Sequence, residues 1–87
     1  MTLSETFKAL ADPTRREIIE LLKKRSRSAG EIAEHFQITL PSLTYHFNTL
    51  KQANLISQER AGQQIIYSLN LSVIEELMDS YFKLFKK

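Results

Sequence analysis

The 87-residue chain contains no cysteine and only two glycines and two prolines. Without cysteine it has no disulfide framework, no thiolate metal site and no thiol redox switch. No apolar run approaches the roughly 18 residues that suggest a membrane span, and the N-terminus does not resemble a signal peptide. We therefore expect a soluble, cytoplasmic protein with a single domain over residues 1–87.

The charge balance is only weakly basic, with a formal net charge of +2 at pH 7. This permits a nucleic-acid partner but does not by itself indicate one. The densest basic segment contains Lys23, Lys24, Arg25 and Arg27 without an acid. Two interpretations of this cluster stay open: a solvated loop after a helix, or a set of phosphate contacts.

Helix-start signals occur at five places along the chain. Capping boxes, in which a hydroxyl caps the helix and a Glu three residues later reaches back, begin at Thr2, Ser28 and Ser72. Asp12-Pro13 and Pro41 mark two further starts. With the apolar periodicity after each signal, they predict five helices, at about residues 3–11, 13–24, 29–35, 41–53 and 73–85.

Two short strands are predicted near the C-terminal third, at about residues 55–59 and 64–69. In the second, Ile65, Tyr67 and Leu69 alternate with other residues, as in a strand with one buried face. The turn lies at about residues 60–63, where Gly62 can adopt a positive φ. These elements predict a mainly α fold with a small β-hairpin: a winged helix-turn-helix of five helices and a two-stranded wing.

The fourth helix has two unlike faces. On a helical wheel Leu43, Phe47 and Leu50 form an apolar stripe. The opposite side and its flanks carry no acid and consist mostly of short polar side chains, namely Pro41, Ser42, Thr44, Tyr45, Asn48 and Gln52. Such a face suits a major groove, because acids repel phosphate and short hydroxyls and amides reach base edges. The alternative is an ordinary solvated face.

The neighbours of this helix favour DNA over simple solvation. The helix at 29–35 precedes it across a four-residue connection, which is typical of a helix-turn-helix. The tip of the hairpin that follows carries Arg60, Gln63 and Gln64, long donors that can reach phosphate or a minor groove.

The two histidines and one tyrosine of this region are less easily assigned. Tyr45 is an aromatic on a solvent-facing surface, which favours contact with a partner; the alternative is a ring lying along its neighbours. His46 lies about 60° from Leu43 on the wheel, so both the core edge and the DNA face stay open for it. His35 ends a helix, and we favour a structural role there.

The last predicted helix is amphipathic. Its apolar residues recur at the spacing of one continuous stripe: Ile74, Leu77, Met78, Tyr81, Phe82 and Phe85, with Leu84 beside them. We expect this stripe, with Leu3 and Phe7 of the first helix, to meet a second copy across a two-fold axis. Packing onto its own domain is the alternative. Early acids, with Lys83, Lys86 and Lys87 at the end, favour the helix dipole.

Four motifs in order resemble the ArsR/SmtB-type winged-helix repressors: FKALADPTRREIIELL, AGEIAEHF, PSLTYHFNTLKQANLI and RAGQQIIYSL. Within that family the chain is most similar to the cysteine-free autorepressors of the sporulation-delay (SdpR-like) type. The resemblance implies a homodimer built from the first and last helices that represses by occupying a near-palindromic operator. It implies DNA-reading residues at Leu40, Pro41, Thr44 and Tyr45, with Ser42 and His46 nearby. For Arg15 and Arg16 it implies bracing of the fold or dimer.

Metal sensing is where the sequence departs from the family pattern. The Cys-x-Cys of thiolate sensors would align with Ser28 and Gly30, and the last helix has acids but no His. We expect no cofactor and no transition-metal site, which leaves another inducer, an anti-repressor protein, or none. The leading hypothesis is a sequence-specific repressor, its own promoter included among its targets. The alternative is a protein-contact module with a vestigial DNA face. No constellation of residues indicates an enzyme.

Overall fold

The computed structural model describes the backbone of residues 3–85 and the side chains of residues 4–85. The described residues form, in chain order, α1 (Leu3–Ala9), α2 (Pro13–Lys24), β1 (Arg27–Ser28), α3 (Ala29–His35), α4 (Leu40–Gln52), β2 (Ile56–Ala61), β3 (Gln64–Leu69) and α5 (Leu71–Phe85). The predicted mainly α fold with five helices and a hairpin is confirmed, with element ends within two residues of the prediction. Thr2, Lys86 and Lys87 lie outside the described residues.

Two of the predicted helix starts are made by the residues named for them. The Asp12 carboxylate accepts from the backbone N–H of Thr14 at 2.8 Å and of Arg15 at 3.2 Å. At α3 the capping box is complete, because Ser28 Oγ accepts from the Glu31 N–H and Glu31 Oε1 accepts from the Ser28 N–H, both at 3.1 Å. These caps satisfy amides that the first turn of a helix leaves without partners.

Two further starts differ from the prediction, and the capping box at Thr2 lies outside the described residues. Helix α4 is capped by Thr39, whose Oγ1 accepts from the Ser42 N–H at 3.3 Å, and Pro41 lies one residue inside the helix. The capping box at Ser72 was wrong. Helix α5 already begins at Leu71, because the Asn70 carbonyl accepts the helical bond from Ile74 at 3.1 Å. The N–H of Asn70 is itself held by the Leu55 carbonyl at 2.9 Å, so the helix starts directly after β3.

The sheet has three antiparallel strands in the order β1-β3-β2. Strand β1 was not predicted, since only Arg27 and Ser28 pair with β3 and two residues are too few for a pattern. Its pairing makes β3 a central strand, so Tyr67 alone in β3 is fully buried and its neighbours are half-buried.

The wing is the β2–β3 hairpin. Ala61 pairs with Gln64 around a two-residue turn, and Gly62 has φ +64°, which confirms the positive φ expected there. Positive φ at the first turn residue alone fits a type II′ turn, whose twist matches that of the flanking strands.

The core fixes which face of α4 is turned outward. Leu43, Phe47 and Leu50 are buried, as the sequence pattern predicts, together with Ile18 and Ile32 of α2 and α3. The ring of Phe47 stacks on that of Tyr67, with centroids 4.2 Å apart and planes inclined by 24°. Since the inward face of α4 is bound to both helices and sheet, its opposite face is held toward solvent.

The end of α4 reverses the chain into the wing. Asn54 has φ +58°, a left-handed conformation that asparagine tolerates better than most residues. Its N–H donates to the Lys51 carbonyl and the next N–H, of Leu55, donates to the Leu50 carbonyl, at 2.9 and 3.1 Å. This turn places β2 directly after the helix. None of the described helices is long and apolar enough to span a membrane.

Candidate nucleic-acid interface

The outward surface of α4 carries most of the side chains predicted to touch DNA. Among the ten predicted residues, nine are exposed: Leu40, Pro41, Ser42, Thr44, Tyr45, Asn48, Arg60, Gln63 and Gln64. Tyr45 is 62% exposed, and helix α4 contains no acidic residue. His46 is half-buried. The structure therefore brings the predicted helix residues together on one uncharged face.

The first turn of α4 leaves hydrogen-bond donors at its surface. The Thr39 hydroxyl, besides capping the helix, donates to Ser42 Oγ at 3.0 Å. Since Ser42 Oγ accepts in that bond, its own proton stays available to an acceptor outside the protein. The positive end of the helix dipole at this turn favours an anion such as a phosphate oxygen.

One hydrogen bond that the sequence did not reveal joins the wing to α4, and another lies within the wing. Lys51 Nζ, in the last turn of α4, donates to Gln58 Oε1 of β2 at 2.8 Å. At the tip, Arg60 Nε donates to the Gly62 carbonyl at 3.3 Å. The Arg60 guanidinium is thereby held near the turn, and the residue as a whole is exposed. Helix α4 and the wing therefore form one surface, with a hydrogen-bond donor at the first turn of α4 (Ser42) and another at the tip of the wing (Arg60).

Arg15 is a buried cation that connects three helices. Its side chain, 9% exposed, donates from Nε to the Ala9 carbonyl at 2.6 Å and from Nη2 to the Lys8 carbonyl at 3.3 Å. Nη1 lies 3.1 Å from His46 Nδ1. Arg16 Nη1 donates to the carbonyls of Leu10 and Ala11, after α1 ends. These hydrogen bonds support bracing of the fold by both arginines, and half-buried His46 lies at the core edge.

The basic cluster of residues 23–27 is largely paired within the domain. Lys23 and Arg25 form ion pairs with Glu20 and Glu31, at 3.4 and 2.7 Å, and Arg27 Nε donates to the Leu21 carbonyl at 3.0 Å. The hydrogen bond from Arg25 is the main reason why the pKa of Glu31 falls to about 2. These local partners favour a structural role for the cluster over phosphate contact.

His35 also has local partners. Its Nε2 lies 3.3 Å from Glu17 Oε1 of α2, and its ring meets that of Phe36 edge-on at 5.1 Å. The contact with Glu17 connects α3 to α2, and both contacts support the structural role. Within residues 3–85 no three His, Cys, Asp or Glu side chains lie close enough together to hold a metal ion.

A cleft of about 420 Å³ between α1 and α4 was not predicted. Its walls include Glu5 and Lys8 from α1, Arg15 from α2, and Tyr45, Thr49 and Gln52 from α4. The Tyr45 ring stands at its rim, 5.6 Å from that of His46 and inclined to it by 60°. Tyr45 thus has both an exposed surface and a neighbouring ring, so the structure keeps both interpretations of this residue.

The predicted dimer stripe on α5 is mostly exposed. No residue of α5 is fully buried, and Phe82 and Phe85 are 62% and 71% exposed. Ile74 and Leu77 are half-buried, and Leu71 and Leu84 enlarge the apolar surface. The Leu3 side chain lies outside the described part of the chain. Phe7 of α1 meets Tyr81 edge-on at 6.4 Å, so both terminal helices contribute to one surface.

Comparison with known proteins agrees with this geometry. A family model described as a helix-turn-helix domain matches residues 10–59. The chain is 53% identical over 74 residues to the transcriptional repressor SdpR of Bacillus subtilis, covering 85% of this chain and 82% of that protein. It is 37% identical over 75 residues to the arsenical resistance operon repressor of the same organism, covering 85% and 71%.

A solved structure shows the same fold. An ArsR-like transcriptional regulator from Rhodococcus sp. RHA1 superposes with a TM-score of 0.85, covering 94% of this chain and 77% of that one, at 24% identity. The similarity therefore extends over the helices and the wing together, well beyond the residues of the helix-turn-helix.

Proposed function

The chain belongs to the ArsR/SmtB-type family of winged-helix transcriptional repressors, and from this we propose that it represses transcription as a homodimer bound to a near-palindromic operator. The observation that carries the proposal is the outward face of α4. This face lacks acids, presents Ser42, Thr44 and Tyr45 to solvent, and is held by a buried apolar stripe on the opposite side. A helix of this kind fits the major groove.

The apolar surface of α5 supports the homodimer. Phe7, Tyr81, Phe82 and Phe85 lie together, with Tyr81 5.9 Å from Phe82 and 5.1 Å from Phe85 between ring centroids. Soluble proteins seldom leave a large contiguous apolar patch in water. A second copy would cover it by presenting the same patch across a two-fold axis. Two α4 helices roughly 34–36 Å apart would then read inverted half-sites.

Recognition would combine two kinds of contact. Tyr45, Thr44 and Ser42 would face base edges, and Arg60 of the wing would contact phosphate or the minor groove. Because the net charge is only +2, we expect attraction to DNA phosphate to depend on where the cations lie more than on how many there are. Its closeness to a repressor of 53% identity favours repression of a small set of promoters, its own included.

The release of repression is proposed to need no transition metal. Ser28 and Gly30 stand where thiolate sensors have cysteines, and Ser28 Oγ is engaged in capping α3. A small molecule, an anti-repressor protein or dilution of the repressor would then end repression.

Selection of bound fragments from random DNA would test the proposal. We expect enrichment of an inverted repeat whose half-sites are about one helical turn apart, roughly 10–10.5 base pairs. Enrichment of unrelated sequences, or of none, would contradict sequence-specific binding. That result would favour the alternative of a protein-contact module.

A further inference from the structure

We infer that Arg15 and His46 form a proton-sensitive brace that positions the recognition helix α4 against α1, so that protonation of His46 weakens operator binding. The inference rests on the proposed DNA-binding function. The brace consists of the Arg15 guanidinium, the His46 imidazole and the carbonyls of Lys8 and Ala9. It connects a helix of the proposed dimer surface to the helix proposed to read DNA.

The contact between Arg15 and His46 defines the state of the imidazole. Arginine keeps its proton in proteins and has no acceptor, so Nη1 can only donate. His46 Nδ1, 3.1 Å away, must therefore accept. A ring that accepts at Nδ1 is neutral and carries its proton on Nε2. The structure thus contains a hydrogen bond that exists only when His46 is uncharged.

The brace acts on the side of α4 that borders the cleft to α1. The carbonyls of Lys8 and Ala9 lie in the last turn of α1, and Arg15 donates to both; the Lys8 carbonyl also accepts from the Ala11 N–H at 3.2 Å. From there Arg15 reaches His46, which stands between exposed Tyr45 and buried Phe47. The buried stripe of Leu43, Phe47 and Leu50 packs α4 onto the core. The brace acts on the side of α4 near Tyr45.

Protonation of His46 changes this contact in two ways. It adds a proton to Nδ1, so that both ring nitrogens carry an N–H and Nδ1 can no longer accept. It also places a positive charge next to the buried Arg15 guanidinium. Asp12 interacts with both cations, and Glu5 and Lys8 of α1 are the charged groups that line the neighbouring cleft beside Arg15. The Asp12 carboxylate already accepts two backbone N–H groups at the start of α2. Loss of the acceptor and repulsion by Arg15 both disfavour the braced position once the imidazole is protonated.

The sign of the pH response distinguishes the brace from direct DNA contact. If the imidazolium touched phosphate, acidification would strengthen binding, because the added charge would attract the DNA. If the brace positions α4, acidification weakens binding. Histidine changes charge between about pH 5 and 8, which is accessible to a binding titration.

The experiment is a titration of the full chain with its selected operator between about pH 5.5 and 8 at fixed ionic strength. We expect the affinity to fall by about three- to tenfold toward the acid end, as for the loss of one typical intramolecular hydrogen bond. His46→Asn keeps an acceptor at the position of Nδ1 but does not titrate, and should give a flat profile. His35→Asn removes the other of the two histidines and should keep the wild-type response.

Several results would overturn the brace. Affinity that is constant or rises toward acid pH in the wild type would do so, and so would an acid response that persists in His46→Asn. A second measurement needs no DNA: ¹⁵N chemical shifts of the His46 ring near pH 8 should show the proton on Nε2. A proton on Nδ1 would reject the brace even if His46→Asn fails to fold. Absence of operator binding at every pH would instead reject the proposed function.

Discussion

Tyr45 and Arg15 show how differently two polar side chains can be used within one small domain. Tyr45 is largely exposed on α4, whereas Arg15 is buried and binds two carbonyls and a histidine. The exposed ring could be singled out from the helical wheel, because an outward aromatic is visible in the periodicity. The contacts of Arg15 could not, since Lys8 and His46 are far apart in the chain.

Replacing Tyr45 should impair recognition without harming the fold. We expect Tyr45→Ala to weaken binding to the selected operator by about 1–3 kcal/mol and to relax sequence preference. Tyr45→Phe keeps the ring and tests the hydroxyl separately. Gel-shift titrations with matched and altered operators measure both effects. Unchanged affinity and preference in Tyr45→Ala would mean that the ring only lines the cleft.

Glu31 should make the stability of the domain sensitive to acid. Its pKa is lowered from 4.5 to about 2, mainly by the hydrogen bond from Arg25 and next by that from the Ser28 N–H. Because the folded-state pKa is depressed, the contribution is complete above about pH 4.5 and is lost as the pH falls toward 2.

We therefore expect Glu31→Gln to melt at a lower temperature than the wild type at neutral pH, by a small margin because the group is exposed. The two proteins should converge between about pH 4.5 and 2. Glu34→Gln, on the exposed side of the same helix, is the control. A difference in melting temperature that is independent of pH would show that the charge of Glu31 is not responsible.

At the scale of elements, helices were easier to predict than strands. The caps at Asp12 and Ser28 join residues only two or three positions apart, so the local sequence predicts the starts of α2 and α3. Strand β1 exists only because β3 is available to pair with it, and α5 begins early because Asn70 is held by Leu55. Both depend on partners distant in sequence. The wing was predicted because Gly62 and the alternating residues around it are also a local signal.

The wing should contribute affinity more than specificity. We expect Arg60→Ala to weaken binding about equally on all DNA sequences and to reduce the slope of log K against log salt by about one unit. Lys83→Ala removes one exposed cation from α5 and should leave the slope unchanged. Titrations at several salt concentrations provide the measurement. A loss confined to the operator would instead assign Arg60 to base recognition.

At the scale of the molecule, an 87-residue chain can bury only a modest core. The core lies among α2, α3, α4 and the sheet, and it leaves the apolar stripe of α5 exposed. The elongated shape, 48 × 23 × 21 Å, agrees with a terminal surface that extends beyond the core. We infer that a second copy of the chain covers this surface.

Placing a charge on the α5 stripe should separate the proposed dimer. Phe82→Glu would bury a carboxylate at the interface, so we expect monomers in sedimentation and loss of operator binding. Ser80→Glu adds the same charge on the polar side of α5 and should remain a dimer. A Phe82→Glu variant that still sediments as a dimer would contradict the assignment of α5.

The order of the helices, the inward stripe of α4 and the turn of the wing are predictable from the amino-acid sequence. Each of these follows from short-range signals: caps, periodicity and one glycine with positive φ. The contact of His46 with Arg15, the pairing of β1 and the position of Tyr45 beside a cleft arise from the tertiary fold. Those contacts join residues far apart along the chain, and periodicity carries no information about partners that folding brings together.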